Sequence, residues 1–142
     1  MNDTISLLQE TNAGCKSATN AIERILPHIK QPALYQMVED YNAKHARLGE
    51  ACKEQLETLG ASEQDPHPVS STFAKMGITM GANLRPDSPH LADMLADGCA
   101  MGIRSLAHYK NEFPHASDSA VRLTDSLIDL EQDFFSDLLA YL

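Results

Sequence analysis

Residues 32–59 read PALYQMVEDYNAKHARLGEACKEQLETL, and their spacing decides the fold. At about 100° per residue, Leu34, Val38, Tyr41, Leu48, Cys52, Leu56 and Leu59 all fall within about 60° of His45. The opposite face carries Glu39, Asp40, Lys44, Arg47, Glu50 and Lys53. The pattern predicts one long amphipathic helix with His45 at the centre of its apolar stripe. Pro32 suits the first helical position, where its missing N–H costs nothing, and Gln31 can cap it. Gly60 is the expected stop. A helix about 42 Å long with one apolar face needs partners of similar length.

Working outward, three further segments supply them. Upstream, residues 3–26 place Leu8, Cys15, Ile22 and Leu26 on one line, with Asp3 or Thr4 as the cap and Pro27 as the break. The short turn before Pro32 makes the first two helices antiparallel neighbours. Downstream, residues 89–113 carry Leu91, Leu95, Cys99, Gly102, Leu106, Tyr109 and Phe113 as a stripe, capped by Ser88 and ended by Pro114. Residues 117–142 form the fourth helix, capped by Ser117, with Leu127, Ile128, Phe134, Phe135, Leu138 and Tyr141 inward. Between the pairs, Gly60 leads into a proline-containing loop. FAKMGITMGANL then spaces Phe73, Met76, Met80 and Leu84 for a short helix over about 71–84.

Composition bounds the function classes. A chain of 142 residues with 43% hydrophobic content suits one domain, residues 1–142, with a sizeable core. A net charge of −9 has the wrong sign for a nucleic-acid binder or for an anionic membrane surface. No apolar run reaches the ~18 residues of a membrane span, and MNDTISLLQE lacks the form of a signal peptide. Three widely spaced cysteines, Cys15, Cys52 and Cys99, make no disulfide framework, so the expectation is a cytoplasmic protein with reduced thiols.

Four long helices, a long link holding a short extra helix, and the HARLG run at His45–Gly49 together resemble the ferritin-like superfamily, in particular its small uncharacterised bacterial members. ETNAGCKSATNAI and LADGCAMGIRSLAHY carry the same likeness. The resemblance implies an all-α, ferritin-like up-down four-helix bundle with a long crossover. Its catalytic branch holds two metal ions with a Glu on two helices and Glu-x-x-His on the other two. This chain departs from that pattern. The second helix reads Asn42-Ala43-Lys44-His45, keeping the His without the Glu. The fourth reads Glu131-Gln132-Asp133-Phe134, keeping the Glu without the His. Asn12 or Cys15, and Gly98 or Cys99, stand where the remaining carboxylates belong. One core carboxylate is too few to balance and bridge two oxygen-activating ions, so the di-iron reading is disfavoured.

A polar layer stands without any family. Glu131 lies at the middle of the apolar arc of the fourth helix, within about 60° of Leu127, Ile128, Phe134, Phe135 and Leu138. A buried acid needs a partner. Cys15, His45, Cys99 and Glu131 each sit near mid-helix, so in an antiparallel bundle they can converge. The simplest account is a His45–Glu131 hydrogen-bonded or ionic pair, with the cysteines as small core residues. A second is a single zinc or iron on Cys15, His45, Cys99 and Glu131, a ligand set that suits tetrahedral zinc. A third is a Cys15–Cys99 disulfide, which needs a closer approach than core helices usually make.

No nucleophile elbow, phosphate loop, CxxC or HExxH occurs. Asp125, Asp129, Asp133 and Asp137 recur every four residues as a solvated outer face. Gly98 and Gly102 make a flat groove suited to another helix, in this bundle or in a second chain. The sequence therefore points to a non-catalytic structural or interaction protein, a homodimer or the partner of another protein. A metal-binding protein used for storage, sensing or redox work is the alternative.

Overall fold

The computed structural model describes residues 2–66 and 87–142. Among them the chain is helical without strands: α1 (Asn2–Ile25), α2 (Pro32–Thr58), α3 (Ser88–Glu112) and α4 (Asp118–Leu138). Short 3-10 turns, Leu26–His28 and Leu139–Tyr141, follow α1 and α4. The short helix expected over about 71–84 lies outside the described residues. No helix among those described is long and apolar enough to cross a membrane.

The helix ends have local causes. Pro27 sits in the turn that closes α1. Pro32 opens α2, but the Gln31 side chain makes no capping bond, contrary to the sequence expectation. At the other end of α2, Gly60 takes φ of 69°, open to glycine at no steric cost. That bend lets Ala61 N–H donate to the Leu56 carbonyl at 2.9 Å and Gly60 N–H to the Glu57 carbonyl at 3.0 Å, the paired bonds of a Schellman stop. Asp87 caps α3, in place of the expected Ser88, by accepting from His90 N–H at 2.9 Å. Ser117 caps α4 by accepting from Ala120 N–H at 3.2 Å. Asp3 and Thr4 bind the neighbouring loop and do not cap their own helix. They accept from the backbone N–H groups of His115 and Ser117, both at 2.9 Å.

Side-chain contacts fix the helix directions. Thr4 meets Ser117 and Thr11 meets Thr124, so α1 and α4 run parallel. Asn12 meets Gly49, Gln55 meets Ser119, and His45 meets Glu131, so α2 runs against both. Lys110 meets Asp125, so α3 also runs against α4 and therefore parallel to α2. The tightest packing lies within α1–α2 and α3–α4. In cross-section the bundle is a rhombus, with α1 and α4 across its short diagonal and α2 and α3 across its long one. It follows that α2 ends at the opposite end of the bundle from the start of α3. The first residues after α2 fold back along α1, where the Gln9 side chain donates to the Ser62 carbonyl at 2.9 Å.

The core is layered along the axis. One end is filled by Leu7, Leu8, Leu56 and Ala120. The other is filled by Ile22, Ile25, Leu34, Val38, Leu91, Leu95, Phe134, Leu138 and their neighbours. Between them lies a smaller apolar group of Cys15, Leu106 and Leu127. Among the described residues, five buried polar ones interrupt the core: Thr11, Asn12, His45, Thr124 and Glu131.

Candidate functional site

The candidate site is that buried polar layer. α2 places His45 on its inner face with 0% exposure, and α4 brings Glu131, 6% exposed, against it. Imidazole Nε2 bonds to Glu131 Oε1. Imidazole Nδ1 lies 2.7 Å from the Tyr41 carbonyl, one turn earlier on the same helix. A carbonyl only accepts, so Nδ1 carries a proton. A second proton then lies between Nε2 and Oε1, and on either atom the pair is neutral as a whole. Both ring nitrogens are thereby engaged. Phe134 presents an edge contact to the imidazole at 6.0 Å and stacks on Tyr41 at 4.5 Å, which closes the apolar side of the layer.

α3 contributes an absence of side chain. A Cβ at Gly102 would stand 2.9 Å from Glu131 Oε2, closer than real Cβ contacts come. The acid reaches the interior because glycine leaves that space open. A second close approach joins α1 to α2. A Cβ at Gly49 would lie 3.1 Å from Cys15 Cβ, and the Gly49 carbonyl accepts from Asn12 Nδ2 at 2.9 Å.

Thr11 and Thr124 are paired across helices. Thr124 Oγ1 donates to the Ala120 carbonyl at 3.1 Å, so its single proton is committed. Thr11 is therefore the donor in the 2.8 Å bond between the two hydroxyls. The Tyr41 hydroxyl donates to Asp137 at 2.5 Å, and Asp125 accepts from Lys110 at 2.5 Å. Two of the four aspartates expected as a solvated stripe on α4 thus hold neighbouring helices. Asp129 and Asp133 remain exposed.

Two of the cysteines sit in the apolar groups on either side of the pair. Cys15 packs with Leu106 and Leu127, and Cys99 with the apolar cluster around Phe134. All three are free thiols, so the Cys15–Cys99 disulfide considered from sequence does not form. Burial pushes each thiol upward, Cys52 to about 12. Cys15 rises further, through burial first and then the charges of Cys52 and Glu131. Cys99 rises through burial and then Glu131. Each is protonated at neutral pH.

These facts decide whether the set Cys15, His45, Cys99 and Glu131 fits a zinc or iron ion. Among the described residues, no three His, Cys, Asp or Glu side chains are grouped to hold one. The imidazole has no uncommitted nitrogen, and α3 presents Gly102 to the carboxylate where the sequence reading placed Cys99, a turn away. The four residues as arranged do not fit the ion. No family model matches this chain, and no curated protein matches it significantly.

Some of this layer escapes sequence reasoning. The pairing of His45 with Glu131 has a signal, since both interrupt apolar stripes. The role of Gly102 has none until the register of α3 against α4 is known. Thr11 and Thr124 carry a weak signal, as small polar residues on inward faces.

Proposed function

We propose that this chain is a non-catalytic bundle of ferritin-like architecture, a small cytoplasmic protein that acts in a structural or interaction role as a homodimer. The observation that carries the reading is the closure of the His45–Glu131 pair on itself. A catalytic or metal centre needs a free lone pair, a transferable proton or an open coordination position. His45 and Glu131 direct theirs to each other and to the Tyr41 carbonyl. Such a pair fixes register between α2 and α4, a role attested for buried polar groups elsewhere. The ferritin-like architecture is supported by the parallel course of α2 and α3 and by the long chain between them. The dimer is supported by the outer face of α3. Met101 is 38% exposed there, and among the described residues nothing lies within 4 Å of a Cβ placed on Gly98.

Elemental analysis of untagged protein, combined with sedimentation, tests this reading. Substoichiometric metal and a dimer that Met101→Glu splits are the expected results. Stoichiometric zinc or iron, lost in His45→Ala, overturns the non-catalytic role. A monomer at every concentration overturns the dimer.

A further inference from the structure

Met101 stands at the centre of an outward face of α3, 38% exposed. At about 100° per residue, Asp97 and Arg104 lie about 40° and 60° to one side of it. Gly98 and Ser105 lie about 60° and 40° to the other. Asp97, Arg104 and Ser105 are exposed, and among the described residues nothing lies within 4 Å of a Cβ placed on Gly98. The face therefore has an apolar crest, a charged flank, and a flank of small residues on which a second helix can lie close.

The charged flank has a direction. Asp97 and Arg104 are seven residues apart, about 10 Å along the axis, whereas ion pairs within a helix join residues three or four apart. The helix dipole does not account for their order. It acts within the first and last turn, and both residues stand more than two turns from the ends of α3 at Ser88 and Glu112.

A second copy of the same face, turned end for end, answers each part. A two-fold axis perpendicular to two paired helices brings like flank to like flank and reverses their direction. Set level with Ala100, the axis places Arg104 of each copy within about 1.5 Å of the height of Asp97 of the other. It brings Met101 equally close to the height of Gly98, so a long side chain meets the notch that glycine leaves. A parallel mate instead sets Asp97 against Asp97 and Arg104 against Arg104, which repel. Two chains of net charge −9 also repel each other overall, so a contact that joins carboxylates to guanidinium groups is favoured over others.

We infer that α3 pairs with α3 of a second copy, antiparallel about a two-fold axis near Ala100, with two Asp97–Arg104 ion pairs beside Met101. The inference rests on the dimer proposed above and gives it a geometry.

Sedimentation equilibrium of the full chain at low salt tests it through charge reversal. Asp97→Arg alone and Arg104→Asp alone each set like charges together twice. Each is expected to raise the dimer Kd about tenfold. The double variant Asp97→Arg/Arg104→Asp restores both pairs, and so does an equimolar mixture of the two single variants. Both are expected to return within about threefold of the parent Kd. In about 1 M salt, where the Debye length is about 3 Å, the differences are expected to shrink. Both positions are exposed, so every variant is expected to keep the parent's circular dichroism. A dimer whose Kd is unchanged in both single variants overturns this arrangement and leaves the dimer standing. So does a double variant that binds no tighter than the single ones. A parent that stays monomeric at every concentration overturns the dimer and the arrangement together.

Discussion

Gly102 of α3 lies where any larger residue would place its Cβ 2.9 Å from the Glu131 carboxylate. A glycine inside a helix ordinarily costs about 1 kcal/mol against alanine. At this position the sign reverses. Gly102→Ala displaces the acid from its place beside His45 and is expected to destabilise the fold by about 1–3 kcal/mol in urea unfolding. In a Glu131→Ala background the clash is gone, and the same substitution is expected to stabilise.

The pair itself is expected to behave asymmetrically. His45→Ala or Glu131→Ala leaves one buried polar group unmatched and is expected to cost about 3–5 kcal/mol. Replacing both by leucine removes that penalty. The double variant is expected to fall within about 1–2 kcal/mol of the parent, or above it. Denaturation midpoints of the three variants check both statements.

The thiols give a pH dependence with a definite sign. Each native cysteine is raised above its ordinary value of 9.0, with Cys52 near 12. Below pH 9 folded and unfolded chains both hold these protons, so the thiols contribute no slope. Between about pH 9 and 12 the unfolded chain loses protons that the native chain keeps. Stability therefore falls, by up to about 1.4 kcal/mol per pH unit for each fully retained proton. Tyr41 and Tyr109, both raised chiefly by burial, add to the same trend above pH 10. Unfolding free energies measured from pH 8 to pH 11 should drop less steeply in Cys52→Ala. At pH 8 the native thiols should resist alkylation until the protein is unfolded.

The start of α3 separates two caps. Asp87 makes the capping bond, so Asp87→Ala is expected to cost about 1 kcal/mol of stability. Ser88→Ala, at the position that sequence favoured, is expected to change it by no more than about 0.5 kcal/mol. Thermal unfolding of the two variants distinguishes them.

These cases show what sequence makes legible. Helical periodicity around His45 and Glu131 identifies the helices and marks both residues as interior, because a 3.6-residue repeat is a local property. Ser117 and Gly60 are readable for the same reason. Asp87 and Ser88 are equally good caps by type, and only the backbone geometry chooses between them. Gly102 reads as a groove for a further helix, because nothing local tells that a carboxylate from α4 occupies it. Cys99 stands level with His45 when helices are aligned by their midpoints, but packing brings Gly102, a turn later, to Glu131. Asn12 and Asn42 are visible as departures from a carboxylate ligand set. That the Asn12 amide ends on the Gly49 carbonyl depends on where α1 and α2 touch.

The His45–Glu131 pair is closed on itself, with the ring committed at both nitrogens. The long-range proton–nitrogen NMR spectrum of the imidazole tests this most directly. It is predicted to show a protonated Nδ1 shielded from solvent exchange, and an Nε2 resonance that moves in Glu131→Gln. An unprotonated Nδ1, or an Nε2 signal indifferent to that substitution, would contradict it.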